Sequence, residues 1–162
     1  MTSQRLYPTL LILVGATSLA MAYIAQYGFD LEPCILCLYQ RVPFAIAAGL
    51  GIIGLWKPEW LAPVFALAAL AFAVNAGIAV YHVGVEQHWW ISSCSAVSME
   101  RLSGADLLAS LQTKQPKACD EVEWKLLGVS IATWNVVFSS VLAVASAYVL
   151  KTRTWETPIR EA

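Results

Sequence analysis

The chain has 162 residues, 59% of them apolar and 13% charged, with a mean hydropathy of +0.63. A soluble domain of this size is nearer 45–50% apolar and about 25% charged, so the composition describes a membrane protein. A net charge of −1 argues for neither nucleic acid nor an acidic partner; the informative quantity is where the charges fall.

Four apolar runs, approximately residues 6–24, 38–56, 60–83 and 126–150, each supply the ~20 residues needed to cross a ~30 Å hydrocarbon core. Backbone groups in lipid must be satisfied within the segment, so the expected fold is all-α: a four-transmembrane-helix bundle forming one domain over 1–162. The first run, with Arg5 ahead of it and Ala20-Met21-Ala22 within it, shares features with a signal peptide. It continues past the 7–15 residues of a signal h-region, which favours a retained span.

Two loops, approximately 25–37 and 84–125, lie on one side of the membrane. The termini and the turn at Lys57-Pro58-Glu59 lie on the other, with Arg5, Lys57, Lys151, Arg153 and Arg160. That density of basic residues places both termini in the cytoplasm and both loops outside it. Trp56, Trp60 and Trp155 mark the inner boundary, and Trp89, Trp90 and Trp124 the outer one.

The second run opens with Pro33-Cys34-Ile35-Leu36-Cys37-Leu38-Tyr39-Gln40-Arg41. With Pro33 at the first helical position, Cys34 and Cys37 sit in the first turn, where the helix dipole and Cys-x-x-Cys spacing favour thiolate. Cys34, Cys37 and Arg41 then share one helical face. Pro43 deprives the Tyr39 carbonyl of its usual partner, which allows a bend. Further on, residues 49–54 match G-x-G-x-x-G inside an apolar span with no preceding strand, so they read as close helix packing through Ala45/Gly49 and Ala47/Gly51.

Asn75, Trp134 and Asn135 are polar points in spans, expected to make interhelical hydrogen bonds. His82 ends the third span at the level of Cys37 and Arg41, either bonded to a backbone carbonyl or facing a cofactor. Glu86 reads as a surface acid, with proton relay as the alternative, and His88 as a solvated side chain. In the long loop, Ser103 opens a short helix, and a second interfacial helix starts near Asp120 with Val122, Leu126 and Leu127 apolar.

All four cysteines fall on the outer side, where disulfides persist. Of the three possible pairings, short spacing and separate loops favour Cys34–Cys37 and Cys94–Cys119. A bridge spanning two residues removes little chain entropy, so the first pair suits redox work better than bracing. A lipid quinone fits that work: the Cys37 thiolate meets the quinone, Arg41 stabilises negative charge on a quinone oxygen, and Cys34 closes back on Cys37. Three other readings compete: a metal site using all four cysteines, a bundle with static staples, and a thiol:quinone oxidoreductase serving a specialised partner.

These residues, together with Tyr81-His82-Val83-Gly84-Val85-Glu86, Trp89-Trp90 before Cys94, and Cys119 followed by Trp124, Gly128, Trp134 and Asn135, resemble the bacterial disulfide bond formation protein B (DsbB) family. The resemblance implies a multi-pass protein of the bacterial inner membrane that uses ubiquinone or menaquinone. It also implies a periplasmic DsbA-like partner of thioredoxin fold, which attacks at Cys94. Released Cys119 then attacks Cys34, and electrons leave through Cys37. By the same resemblance Arg41 is the quinone-proximal arginine and His82 lies near the quinone.

Overall fold

The structure, a computed structural model, describes residues 3–90, 94, 117–122 and 124–156. Four helices are long and apolar enough to cross a membrane: α1 Ser3–Gly28, α2 Ile35–Trp56, α3 Leu61–Glu86 and α4 Ile131–Thr152. Their outward faces carry large apolar side chains such as Leu13, Ile24, Ile46, Ile52, Leu67, Leu70, Val141 and Val144, all exposed as a lipid-facing surface requires. The protein is an all-α, multi-pass membrane bundle, as its composition indicates.

The helices pack in sequence, α1 on α2, α2 on α3 and α3 on α4. Small residues let α1 and α2 approach closely. A Cβ on Gly15 would meet the Phe44 carbonyl oxygen at 2.5 Å, and one on Gly51 would meet that of Pro8 at 2.6 Å. Without a hydrophobic driving force between helices in lipid, such backbone proximity is what gains dispersion energy. Of the two expected small-residue pairs, Ala47/Gly51 takes this role; Gly49 faces open space and Ala45 is exposed.

One core cluster holds the end of the bundle near the chain termini: Leu11, Phe44, Leu50, Leu61, Val64, Phe65 and Phe72, closed by Trp155, whose ring stacks on Phe65 at 5.6 Å. Trp155 sits in a short 3-10 turn, Thr154–Glu156, after α4. A second, smaller cluster lies at the opposite end and consists of Cys34, Leu36, Val85 and Cys119, with Ile35, Cys37 and Cys94 packed against it.

Two expectations change here. Helix α2 begins at Ile35, with Cys34 extended (φ −71°, ψ 169°) as its N-cap, so Pro33 precedes the cap instead of occupying the first helical position. Among the described residues before α4 there is no interfacial helix: residues 117–122 are non-helical, and Lys125–Leu126 pairs antiparallel with Val129–Ser130 as a two-residue hairpin, β1–β2. Leu127 and Gly128 both have positive φ (55° and 81°), the backbone a tight hairpin turn demands and a helix cannot contain. Ser130 then caps α4 by accepting from the Thr133 N–H at 3.2 Å, and Trp134 Nε1 donates to the Leu126 carbonyl, tying the hairpin to the helix. The helix expected at Ser103 lies outside the described residues.

Candidate functional site: a buried cysteine cluster at one end of the bundle

Cysteines from three parts of the chain meet beside the N-terminus of α2. The Cys34 sulfur takes the place of a capping oxygen and accepts the Cys37 N–H at 3.4 Å. The Cys37 sulfur, one turn on, is in hydrogen-bond contact with the same sulfur at 3.1 Å. Cys94 and Cys119 form a disulfide, reinforced by a 2.7 Å backbone hydrogen bond from the Cys119 N–H to the Cys94 carbonyl. Cys119 is 1% exposed and belongs to the cluster that contains Cys34, itself 5% exposed.

Where the sequence favours a Cys34–Cys37 disulfide, the structure has two free cysteines. Their sulfurs lie 3.1 Å apart in hydrogen-bond contact, the separation of a reduced pair. The Cys37 thiol hydrogen bond pulls the Cys34 thiol down from 9.0 to about 4, against the opposing effect of burial, and His82 lowers it further. This is the reduced form of the pair, arranged to hold a thiolate at Cys34.

His82, buried on α3, presents Nε2 to the Cys34 sulfur at 3.6 Å and Nδ1 to Gln40 Nε2 at 3.4 Å. Its Nε2 also lies 3.8 Å from Glu86 Oε1, one helical turn away. Glu86 is not a surface acid: its side chain is 6% exposed, and Oε2 is buried without a hydrogen-bond partner among the described residues. His88 is exposed, as expected.

Arg41 engages the other flank of α2. Its Nη1 donates to Gln26 Oε1 at 2.6 Å, and the guanidinium lies over the Tyr23 ring at 4.9 Å, both partners being on α1. Because Cys34 is the cap and not a helical residue, the shared helical face expected for Cys34, Cys37 and Arg41 resolves into two directions. The contacts of Cys34 run to α3, and those of Arg41 to α1.

Two participants, Gln26 and Gln40, carry no role in the sequence reading, and the burial of Glu86 is not foreseen there. Gln40 stands three residues after Cys37, on the same helical face, and Glu86 four residues after His82; those spacings were the available signal. Cys34, Cys37 and His82 also bring one ligand atom each within 4.8 Å of one another, a set able to hold a metal ion. The rival site of four thiolates is not what the structure contains, since Cys94 and Cys119 are bonded to each other.

Comparison with known proteins follows the same lines. The family model for disulfide bond formation protein DsbB matches residues 4–149. Relatives called disulfide bond formation protein B include one from Xanthomonas campestris pv. campestris (strain 8004), 32% identical over 145 residues and 84% of each chain. Another, from Marinobacter nauticus, is 32% identical and covers 94% of this chain and 95% of its own. A third, from Xylella fastidiosa (strain 9a5c), is 33% identical over 78% of each. With most of its length matched and its cysteines gathered at one end of a four-helix membrane bundle, the chain belongs to the DsbB family.

Proposed function

We propose that this protein is a protein-disulfide:quinone oxidoreductase of the bacterial inner membrane, with both termini cytoplasmic. It reoxidises a periplasmic DsbA-like dithiol oxidase of thioredoxin fold and so sustains disulfide formation in exported proteins. The observation that carries this reading is the packing of the Cys94–Cys119 disulfide against the Cys34/Cys37 dithiol in one buried cluster. Thiol–disulfide exchange requires a thiolate with direct access to a disulfide sulfur, and this arrangement supplies both.

The exchanges balance as follows. A partner thiolate attacks Cys94, and Cys119 leaves as thiolate. Cys119 attacks Cys34 of the oxidised inner pair, and Cys37 leaves. The partner's second thiolate attacks its own sulfur in the bond to Cys94, releasing oxidised partner and the Cys94 thiolate. Cys94 then attacks Cys119, expelling Cys34. The products are the Cys94–Cys119 disulfide and the Cys34/Cys37 dithiol, the redox state of the structure, with two electrons moved inward. A thiol of depressed pKa leaves faster, which suits Cys34 to the last step.

A quinone, ubiquinone or menaquinone, supplies a two-electron, two-proton acceptor that is soluble in the bilayer. The donor set at this end of the bundle fits one. Arg41 is a permanent cation with five N–H donors, and the Tyr23 and Tyr27 rings are exposed beside it. Arg41 and the ring N–H of His82 are the donors that would hold its oxygens.

Two measurements test the proposal. Cys119→Ala should accumulate a mixed disulfide between Cys94 and a thioredoxin-fold partner, and the purified wild-type protein should oxidise that partner only with added quinone. Absence of both the adduct and quinone-dependent turnover refutes it, as does labelling that places Cys34 and Cys37 at the cytoplasmic face.

A further inference from the structure

Uncharged polar side chains cross the interior of this bundle in single file. Asn75 Nδ2 donates to Ser139 Oγ at 2.8 Å and more weakly to Asn135 Oδ1 at 3.4 Å, and Ser139 donates to Asn135 Oδ1 at 3.0 Å. Asn135 Nδ2 donates to Gln40 Oε1 at 2.7 Å. The file ends with Gln40 Nε2 at His82 Nδ1 and His82 Nε2 at the Cys34 sulfur. Asn75, Ser139, Gln40 and His82 are all buried, on helices otherwise apolar enough to span a membrane. Polar groups at that depth are costly and tend to mark function. Helix adhesion accounts for the Asn75–Ser139 contact, but it does not account for a file that runs on to a ring nitrogen opposite a sulfur.

A side-chain amide has direction, because its oxygen only accepts and its nitrogen only donates. With Asn135 Oδ1 occupied by the Ser139 hydroxyl, its nitrogen faces Gln40. With Gln40 Oε1 thereby occupied, the Gln40 nitrogen faces His82. A donor at Nδ1 leaves that atom as an acceptor and puts the ring proton on Nε2. The groups around the other nitrogen agree with this sense, since Nε2 faces two acceptors, the Cys34 sulfur and Glu86 Oε1.

The geometry points to Gln40 and Asn135 as positioning residues for the thiol chemistry: their amides hold His82 in the Nε2–H tautomer and so aim an N–H at the Cys34 sulfur. This inference rests on the proposed exchange at Cys34. It adds that residues on α2 and α4, away from the reacting sulfurs, set the direction of the hydrogen bond that stabilises the thiolate.

The test uses full-length reduced protein in detergent or nanodiscs, without quinone or partner, and reads the ¹⁵N shifts of the His82 ring and the ultraviolet thiolate absorbance. The wild-type ring should show a protonated Nε2 and a bare Nδ1. In Asn135→Asp the carboxylate can only accept, which turns the Gln40 amide and presents its oxygen to Nδ1. The tautomer should invert, and the ratio of thiolate to thiol at Cys34 should fall about tenfold, the equivalent of ~1.4 kcal/mol from one charge-assisted hydrogen bond. Asn75→Ala should leave the tautomer as it is, because it removes a partner without reversing the file. Should Asn135→Asp fail to fold, Gln40→Met replaces it, with loss of the single tautomer expected. An Nδ1–H ring in the wild-type protein, or an unchanged tautomer in the variant that folds, overturns the inference. Since neither readout needs turnover, its failure is distinguishable from failure of the proposed oxidoreductase activity.

Discussion

Removing the Cys37 thiol tests what keeps Cys34 ionised. The perturbation is Cys37→Ala in a background of Cys94→Ala and Cys119→Ala, so that Cys34 alone titrates. In the folded protein the Cys34 thiol is drawn from 9.0 to about 4, with the Cys37 thiol hydrogen bond as the largest cause, burial opposing it and His82 assisting. A hydrogen bond to a charged group is worth about 1.5–3 kcal/mol, which corresponds to a shift of about 1–2 pH units. Cys37→Ala should therefore raise the midpoint of the thiolate absorbance titration by about that much, and His82→Phe by less. The sign carries over to stability. The folded-state value lies below the unfolded one, so the unfolded chain binds more protons between about pH 4 and pH 9. This contribution to stability is complete above pH 9 and is lost as pH falls through about 4. The denaturation midpoint of the reduced protein should thus rise with pH across that window, over a narrower window in Cys37→Ala. A Cys34 that titrates near 9.0 with Cys37 present, or an unchanged midpoint in the variant, refutes the reasoning.

Three further outcomes are expected. Arg41→Ala should raise the apparent KM for quinone about 10- to 100-fold, the loss of one charge-assisted contact, while leaving partner oxidation at Cys94–Cys119 intact; equal loss of both steps contradicts the assignment. Gly51→Leu forces a side chain against the Pro8 backbone, where a Cβ alone would come within 2.6 Å, and should cost about 1–3 kcal/mol in detergent unfolding. A wild-type Tm would show that α1 and α2 do not depend on that approach. Gly84→Val drives the Trp90 indole off the helix, breaking its bond to the Tyr81 carbonyl, and should shift tryptophan emission to the red; unaltered emission would place Trp90 elsewhere.

The helices were legible because spanning a membrane demands long apolar runs, and no other feature of the chain imitates one. Their ends were less so. Leu126 and Leu127 look like the start of a span, yet Leu127 is 86% exposed in a left-handed turn, and the polar Ser130 is what opens α4. Asn75 and Asn135 were readable as interhelical bonds because an amide in an apolar span must find a partner. Gln40 and Glu86 were not: flanked by Arg41 in one case and by an exposed loop in the other, they resemble ordinary boundary residues. The approach of α2 to α3 shows that Gln40 faces His82, and the burial of that seam shows that Glu86 does too. The position of Cys34 turned on one residue of register, because a cap and a first-turn residue differ in backbone, not in sequence.

Cys119 and Cys34 are nearly closed to solvent. Dissolved thiols such as glutathione therefore meet the half-buried Cys37 and Cys94 before either of these sulfurs. In the proposed exchange, that difference in burial reserves Cys34 and Cys119 for each other and leaves entry to the outer pair at Cys94. It also makes the protein's choice of electron donor a matter of physical access, decided before any difference in potential comes into play.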